Sequence, residues 1–221
     1  MTFHDIRSLT LDLDGTLLDS LPDLAQAVND MLQELGEPPR SLTEVGGFVG
    51  KGVADLVRCS LTEGRNCTLD PVAALAVFRR HYAVSNGRDA RPYPGVIEGL
   101  ERFRSLGLPM AVVTNKAVEF AVPLLETTGL AGYFSLVLGG DSLAEKKPHP
   151  LPLTHAARHL GSQPSQNLHV GDSRHDAEAA RAAGCPVALV PYGYSPGVHN
   201  LDCDVIVASL AELANLLAAA D

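Results

Sequence analysis

From Pro92 onward the chain keeps to one pattern: a short apolar run, a turn signal, then a stretch with helical spacing. Met110-Ala111-Val112-Val113, Leu136-Val137-Leu138, Leu168-His169-Val170, Val187-Ala188-Leu189-Val190 and Val205-Ile206-Val207 read as strands. Between them lie a helix carrying Val96, Ile97, Leu100, Phe103 and Leu106 up to Gly107, one stopping at Gly129, one from about Pro150 to Leu160 and one reaching Gly184. A C-terminal Ala/Leu helix closes the series. Short apolar strands alternating with helices cannot cover themselves, so they imply an α/β fold with a parallel sheet buried on both faces, a doubly wound arrangement.

The first strand of that sheet stands apart from the rest. Leu9, Leu11 and Leu13 alternate with shorter polar residues and the run breaks at Asp14-Gly15-Thr16. Everything from Ser20 to Asn86 then reads as helix and loop. Ser20 with Pro22 looks like a helix start, with Ser20 as N-cap, and Leu24, Val28, Met31, Leu32 and Leu35 follow at helical spacing to Gly36. A Pro-Pro-Arg linker leads to Ser41-Leu42-Thr43-Glu44 and a loop over residues 46–52. Val53, Leu56, Val57 and Leu61 mark another helix, and Asp70-Pro71 caps a further one with Leu75, Phe78 and Tyr82. The simplest organisation is an α/β core of residues 1–18 and 89–221 with an α-helical cap, residues 19–88, inserted after the first strand. Residues 16–19 and 88–94 would be its hinges.

A chain of 221 residues with 46% apolar content can bury a full core. The net charge of −9 excludes a phosphate-backbone surface, because nucleic-acid binding needs a basic stripe. Met1 to Arg7 show no charged segment followed by an apolar one, and no apolar run is long enough for a bilayer span, so no membrane partner and a cytoplasmic location are expected. Cys59, Cys67, Cys185 and Cys203 have no C-x-x-C spacing, which argues against a zinc site or redox pair.

Ligands of open α/β sheets bind beyond the carboxyl ends of the strands. Asp12, Asp14, Thr114, Asn115 and Asp172 all fall at such ends. Period two puts Asp12 and Asp14 on one side of the strand, where two like charges 4 Å apart would repel by about 4 kcal/mol at an effective dielectric near 20. A cation between them is the natural remedy. Taken singly, Asp-Gly is common turn chemistry, Thr114-Asn115-Lys116 a strand-to-helix cap, Lys147 a solvated lysine and Asp172-Ser173 a helix start. Their convergence instead makes a phosphoryl-transfer site, with carboxylates suited to Mg²⁺ and Lys147 neutralising phosphate. The Thr114 hydroxyl and nearby N–H groups would hold its other oxygens. No Ser, Cys or His is placed in an activated triad, which leaves a carboxylate as nucleophile.

Asp-Leu-Asp-Gly-Thr-Leu-Leu-Asp-Ser, Val-Val-Thr-Asn-Lys, Lys-Lys-Pro-His-Pro and Gly-Asp-Ser-Arg-His-Asp, in this order, resemble the four motifs of the haloacid dehalogenase superfamily of phosphatases, and the helical insertion is similar to its C1 cap. The resemblance implies that Asp12 attacks phosphorus and that Asp14 protonates the leaving oxygen and then activates water. It implies that Thr114 and Asn115 bind the phosphoryl group and that Lys147 balances charge. Mg²⁺ would be held by Asp12, Asp172 and the backbone carbonyl of Asp14, with Asp176 and Ser173 behind them. Val49-Gly50-Lys51-Gly52, Gly139-Gly140-Asp141-Ser142 and the Lys-Lys-Pro-His-Pro segment are most similar to phosphoglycolate phosphatases. That implies a small phosphomonoester substrate, 2-phosphoglycolate foremost, with Lys51 and Gly50 contributing to its binding, in a monomer or homodimer. Other phosphoesters and a phosphosugar mutase share the motifs. A phospho-receiver domain does not share their order, and Asp14 is the acid a dehalogenase would not need.

Overall fold

The computed structural model describes residues 5–65 and 67–219. The first four residues of the N-terminal stretch considered above lie outside them. Six parallel strands form the main sheet: β1 (Ser8–Leu11), β4 (Met110–Val113), β5 (Leu136–Leu138), β6 (Asn167–Gly171), β7 (Val187–Leu189) and β8 (Val205–Ile206), in the order β5-β4-β1-β6-β7-β8. β1 therefore lies between β4 and β6, in parallel with both. One face carries α5 (Val96–Ser105), α6 (Val118–Thr127) and α9 (Leu210–Ala218), packed with Leu9, Leu11 and Leu13. The other carries α7 (Leu151–His159) and α8 (Arg174–Ala183).

β1 shows why the site lies where it does. Leu9 and Leu11 fill the first face, whereas Ser8 and Thr10 point to the other and are buried with Asn167 and His169 of β6. Ser8 Oγ donates to Asn167 Oδ1 at 2.8 Å, and Asn167 Nδ2 donates to Thr10 Oγ1 at 2.9 Å. A buried polar side chain needs such a partner, since an unpaired one costs about 1–3 kcal/mol. The sheet is thus less uniformly apolar than its sequence pattern suggested, and the polar row of β1 runs on to Asp12, whose N–H still bonds to Val170.

Between β1 and β4 the chain forms α1 (Leu21–Glu34), α2 (Leu42–Phe48), α3 (Val53–Thr62) and α4 (Pro71–Ser85). They share a core of Leu24, Val28, Met31, Val57, Leu61, Phe78 and Tyr82 that reaches Ala117 and Phe120 of the sheet-bearing part. Where the chain leaves and returns, β2 (Leu18–Asp19) and β3 (Arg91–Pro92) pair antiparallel. The buried Asp23 carboxylate beside them accepts the N–H groups of Gly87, Asp89 and Ala90 at 2.8, 2.9 and 3.2 Å. The crossing segments are therefore bonded elements rather than bare linkers. Among the described residues no helix is long and apolar enough to cross a membrane.

Two local expectations are corrected. Residues 46–48 belong to α2, not to a loop: Ser41 and Glu44 form a reciprocal capping box, and buried Arg40 reaches Glu44 at 2.7 Å and the Ser60 carbonyl at 2.9 Å. Ser20 does not cap α1 with its side chain. The Tyr194 hydroxyl accepts the N–H groups of Ser20 and Leu21 at 2.7 and 3.0 Å, leaving the Ser20 hydroxyl free for another partner.

Candidate active site

Asp12 ends the polar row of β1, and the groups around it all come from the sheet-bearing part. Its Oδ1 accepts the N–H of Leu13 at 2.7 Å, and its Oδ2 lies 3.1 Å from Lys147 Nζ. Lys147 also donates to Asp176 Oδ1 at 2.6 Å. Asp176 further accepts from Ser173 N–H and Oγ–H at 3.0 and 2.5 Å, and from His169 Nε2 at 3.0 Å. Four donors on one carboxylate commit it to holding Lys147, His169 and the start of α8. Asp172 is set by Tyr194 N–H at 2.9 Å and Thr16 Oγ1 at 3.3 Å. Gly15 passes so close, at φ +84°, that a Cβ there would sit 2.6 Å from Asp172 Oδ2.

Charge and burial conflict at this spot. Burial pushes Asp12 up to about 7, helped by Asp176 and Asp14 and opposed by Lys147. Burial likewise raises Asp172 well above the carboxylate range, and its neighbours Asp176 and Asp12 add to the rise. Burial would raise Asp176 too, but the Lys147 charge and the His169 hydrogen bond outweigh it and hold this carboxyl below its ordinary value. Lys147 keeps its charge: burial opposes it, and Asp12 and Asp176 overcome that opposition. Burial lowers the His169 pKa and keeps the ring neutral.

Asp14 has different company. Its Oδ1 accepts the Ser20 hydroxyl at 2.5 Å, and Lys116 Nζ lies 3.0 and 3.2 Å from its two oxygens. Lys116 also donates to Tyr82 of α4 at 2.5 Å and sits 4.7 Å over the centre of that ring. Tyr82 is itself packed on Phe78 and Phe120, with ring centres 5.3 and 4.9 Å away. Thr114 Oγ1 accepts the Lys116 N–H at 3.2 Å, which leaves its O–H free to donate. Asn115 Nδ2 donates to the carbonyls of Gly50 and Lys147, both at 2.9 Å, so the side chain expected at phosphate ties the 49–52 loop to the Lys147 segment. Gly52, at φ +91°, allows that approach: a Cβ would meet the Asn115 carbonyl at 2.9 Å.

A cavity opens over these groups, lined by Asp12, Asp14, Thr114 and Lys116 on one side and by Leu24, Val49, Val53 and Leu56 on the other. Gly50 belongs to the lining, whereas Lys51 is exposed and lies outside it. The model of the haloacid dehalogenase-like hydrolase family matches residues 9–190, a span that contains Asp12, Asp14, Thr114, Lys116, Lys147, Asp172 and Asp176. The chain belongs to that family. A phosphoglycolate phosphatase of Thiobacillus denitrificans is 49% identical over 95% of this chain and 94% of its own length, and one of Nitrosospira multiformis is 48% identical over 96% of each. The crystal structure of a predicted phosphoglycolate phosphatase from Haemophilus somnus 129pt superposes with a TM-score of 0.88 at 34% identity, covering 96% of this chain and 98% of that one.

In this haloacid dehalogenase-like hydrolase, carboxylate oxygens of Asp12, Asp172 and Asp176 lie within 4.8 Å of one another. Oxygen donors whose charge burial disfavours are the donor set of a hard divalent cation. Asp12 and Asp172 fit that use, while Asp176 has its lone pairs engaged by nitrogen and hydroxyl donors. Four participants were not read from the sequence: Lys116, Tyr82, His169 and Tyr194. Lys116 was visible as the residue after Thr114-Asn115, and His169 as the one polar member of an apolar strand, but Tyr82 reaches the site only through the packing of α4.

Proposed function

We propose that this chain is a Mg²⁺-dependent phosphatase that converts 2-phosphoglycolate to glycolate and phosphate through an aspartyl-phosphate on Asp12. The observation that carries this reading is the unequal setting of two carboxylates two residues apart. Asp12 is fixed by Leu13 N–H and Lys147 beside the other acids, as a nucleophile must be. Asp14 is turned away onto Ser20 and Lys116 at the cavity, placed to move a proton. Mg²⁺, held by Asp12, Asp172 and the Asp14 carbonyl, would neutralise negative charge on the phosphoryl group.

Asp12 Oδ attacks phosphorus while Thr114 O–H and Lys147 take charge on the phosphoryl oxygens. Asp14 gives its proton to the leaving alkoxide, then removes one from the water that cleaves the acyl phosphate. The helices of residues 19–88 act as a cap that closes about the β2–β3 crossing, and closure lays the apolar side chains of α1 and α3 over the leaving group and excludes bulk water. The similarity to the phosphoglycolate phosphatases of Thiobacillus and Nitrosospira supports 2-phosphoglycolate as the substrate. Phosphate release from a panel of 2-phosphoglycolate, phosphosugars, pyrophosphate and nucleotides, with wild type and Asp12→Asn, tests both parts. The variant is expected to lose turnover on the order of 10⁵-fold or more. Turnover that survives it ends the mechanism, and faster turnover of another ester ends the substrate assignment.

A further inference from the structure

A substrate with a carboxylate needs a cation to meet it, and the cap loop does not supply one at the cavity. Lys51 is exposed outside the lining, and Lys146, also exposed, donates to the Lys51 carbonyl at 2.7 Å. Lys147 lies outside the lining, between Asp12 and Asp176. The cation among the lining residues is Lys116.

Its position follows from Asp14. An acid that protonates the leaving oxygen acts from roughly 2.6–3.2 Å. Lys116 Nζ stands 3.0 and 3.2 Å from the oxygens of that acid. A group carried on the carbon next to the ester oxygen, only two covalent bonds beyond it, is within reach of the ammonium. The side chains of Leu24, Val49, Val53 and Leu56 make the facing wall apolar. The ammonium is also seated in advance: the Tyr82 hydroxyl and ring hold it, and Phe78 and Phe120 hold Tyr82. A charged donor fixed before binding loses little entropy when an anion arrives.

We propose that Lys116, seated on Tyr82, recognises the substrate carboxylate, so that the site selects phosphoesters bearing a carboxylate on the carbon attached to the ester oxygen. This rests on the reading of the chain as a phosphatase of small monoesters. It also makes α4 a contributor to specificity, because the cap reads the substrate through the lysine it holds.

The test compares kcat/KM for 2-phosphoglycolate and for ethyl phosphate, which lacks only the carboxylate oxygens' charge and bonding, in wild type, Lys116→Met and Tyr82→Phe, with thermal melting of each to establish folding. Wild type should favour 2-phosphoglycolate. Lys116→Met should reduce the ratio of the two constants on the order of 10²-fold, the cost of removing one partner of a buried charge pair. Tyr82→Phe keeps the ring and the fold and should reduce the ratio by less, in the same direction. Equal losses on both substrates, in Lys116→Met or, where that variant does not fold, in Tyr82→Phe, would show a lysine that only positions Asp14 and would overturn the inference while leaving the phosphatase intact. A wild type without preference for 2-phosphoglycolate overturns the substrate assignment itself, and that result appears before any variant is made.

Discussion

Asp12 and Asp14 line the same cavity just beyond the end of β1, yet they are held by different parts of the molecule. Asp12 is locked to Lys147, Asp176 and His169, all supplied by the sheet and the segments around it. Asp14 is held by Ser20 at the crossing to the helical insertion and by Lys116, itself held by Tyr82 of α4. One carboxylate is fixed by the scaffold and the other depends on the position of the cap. On the proposed reading, Asp12 as nucleophile has to be rigid through the whole cycle, whereas Asp14 as acid is needed only when substrate is enclosed.

The comparison breaks most severely at Lys147. Both Lys147 and Asp176 are fully buried, and removing one member of such a group leaves the remaining charges without compensation. Lys147→Met should lower the unfolding free energy of the metal-free protein by about 3–5 kcal/mol and abolish turnover. Added Mg²⁺ should restore part of the stability, since it supplies positive charge to Asp12 and Asp172, but none of the turnover. Denaturant titration with and without Mg²⁺ measures this. A metal-free variant as stable as wild type would show that Lys147 does not hold the Asp12 side.

The same asymmetry has a pH signature. Asp12 is raised to about 7 in the folded protein against 3.8 for the free side chain, so the folded state binds the proton more tightly than the unfolded chain. That preference stabilises the metal-free protein fully below pH 3.8 and is lost as pH rises through about 7. Asp176, held low, has its effect below the ordinary carboxylate range and does not cancel this window. If Mg²⁺ is held by the ionised carboxylates as proposed, the rise in melting temperature it produces should grow as pH rises from 4 through about 7. Asp172, also raised, adds to the growth, so Asp12→Asn should reduce it, and Asp14→Asn should keep it if Asp14 lends the metal only its backbone carbonyl as proposed. A flat profile in wild type would contradict the assignment of Asp12 as a metal ligand.

How much of this could be read beforehand depended on whether the signal was local. The parallel sheet, its strands and the carboxylate ends of β1 and β6 follow from period and turn chemistry within a few residues, and they stand where the pattern put them. Helix α2 did not follow, because Gly46 and Gly47 each cost about 1 kcal/mol in a helix and read as loop. At Gly46 the helix packs closely on α1, where a Cβ would lie 3.2 Å from Leu21 Cδ2. At the site, Lys116 was adjacent to Thr114 in the sequence, but its meaning lies in Tyr82, 34 positions away on another helix. Lys147 was readable from its motif, whereas the fourfold use of Asp176 depended on His169, whose partner Thr10 sits across the β1–β6 strand pair.

The smallest effect separates the two sides of Ser20. Its hydroxyl bonds Asp14, while the N-terminal turn of α1 is satisfied by the Tyr194 hydroxyl, which also lies 2.9 Å from Asp19 Oδ1. A helix start that loses its cap costs about 1 kcal/mol. Tyr194→Phe should therefore lower stability by about that amount, with the fall in melting temperature exceeding that of Ser20→Ala. Ser20→Ala removes a hydrogen bond from the acid instead, and should reduce kcat roughly tenfold, the equivalent of one net hydrogen bond, while leaving the melt nearly unchanged. If Ser20→Ala melts early and turns over normally, Ser20 caps the helix after all, and the hold on Asp14 reduces to Lys116 alone.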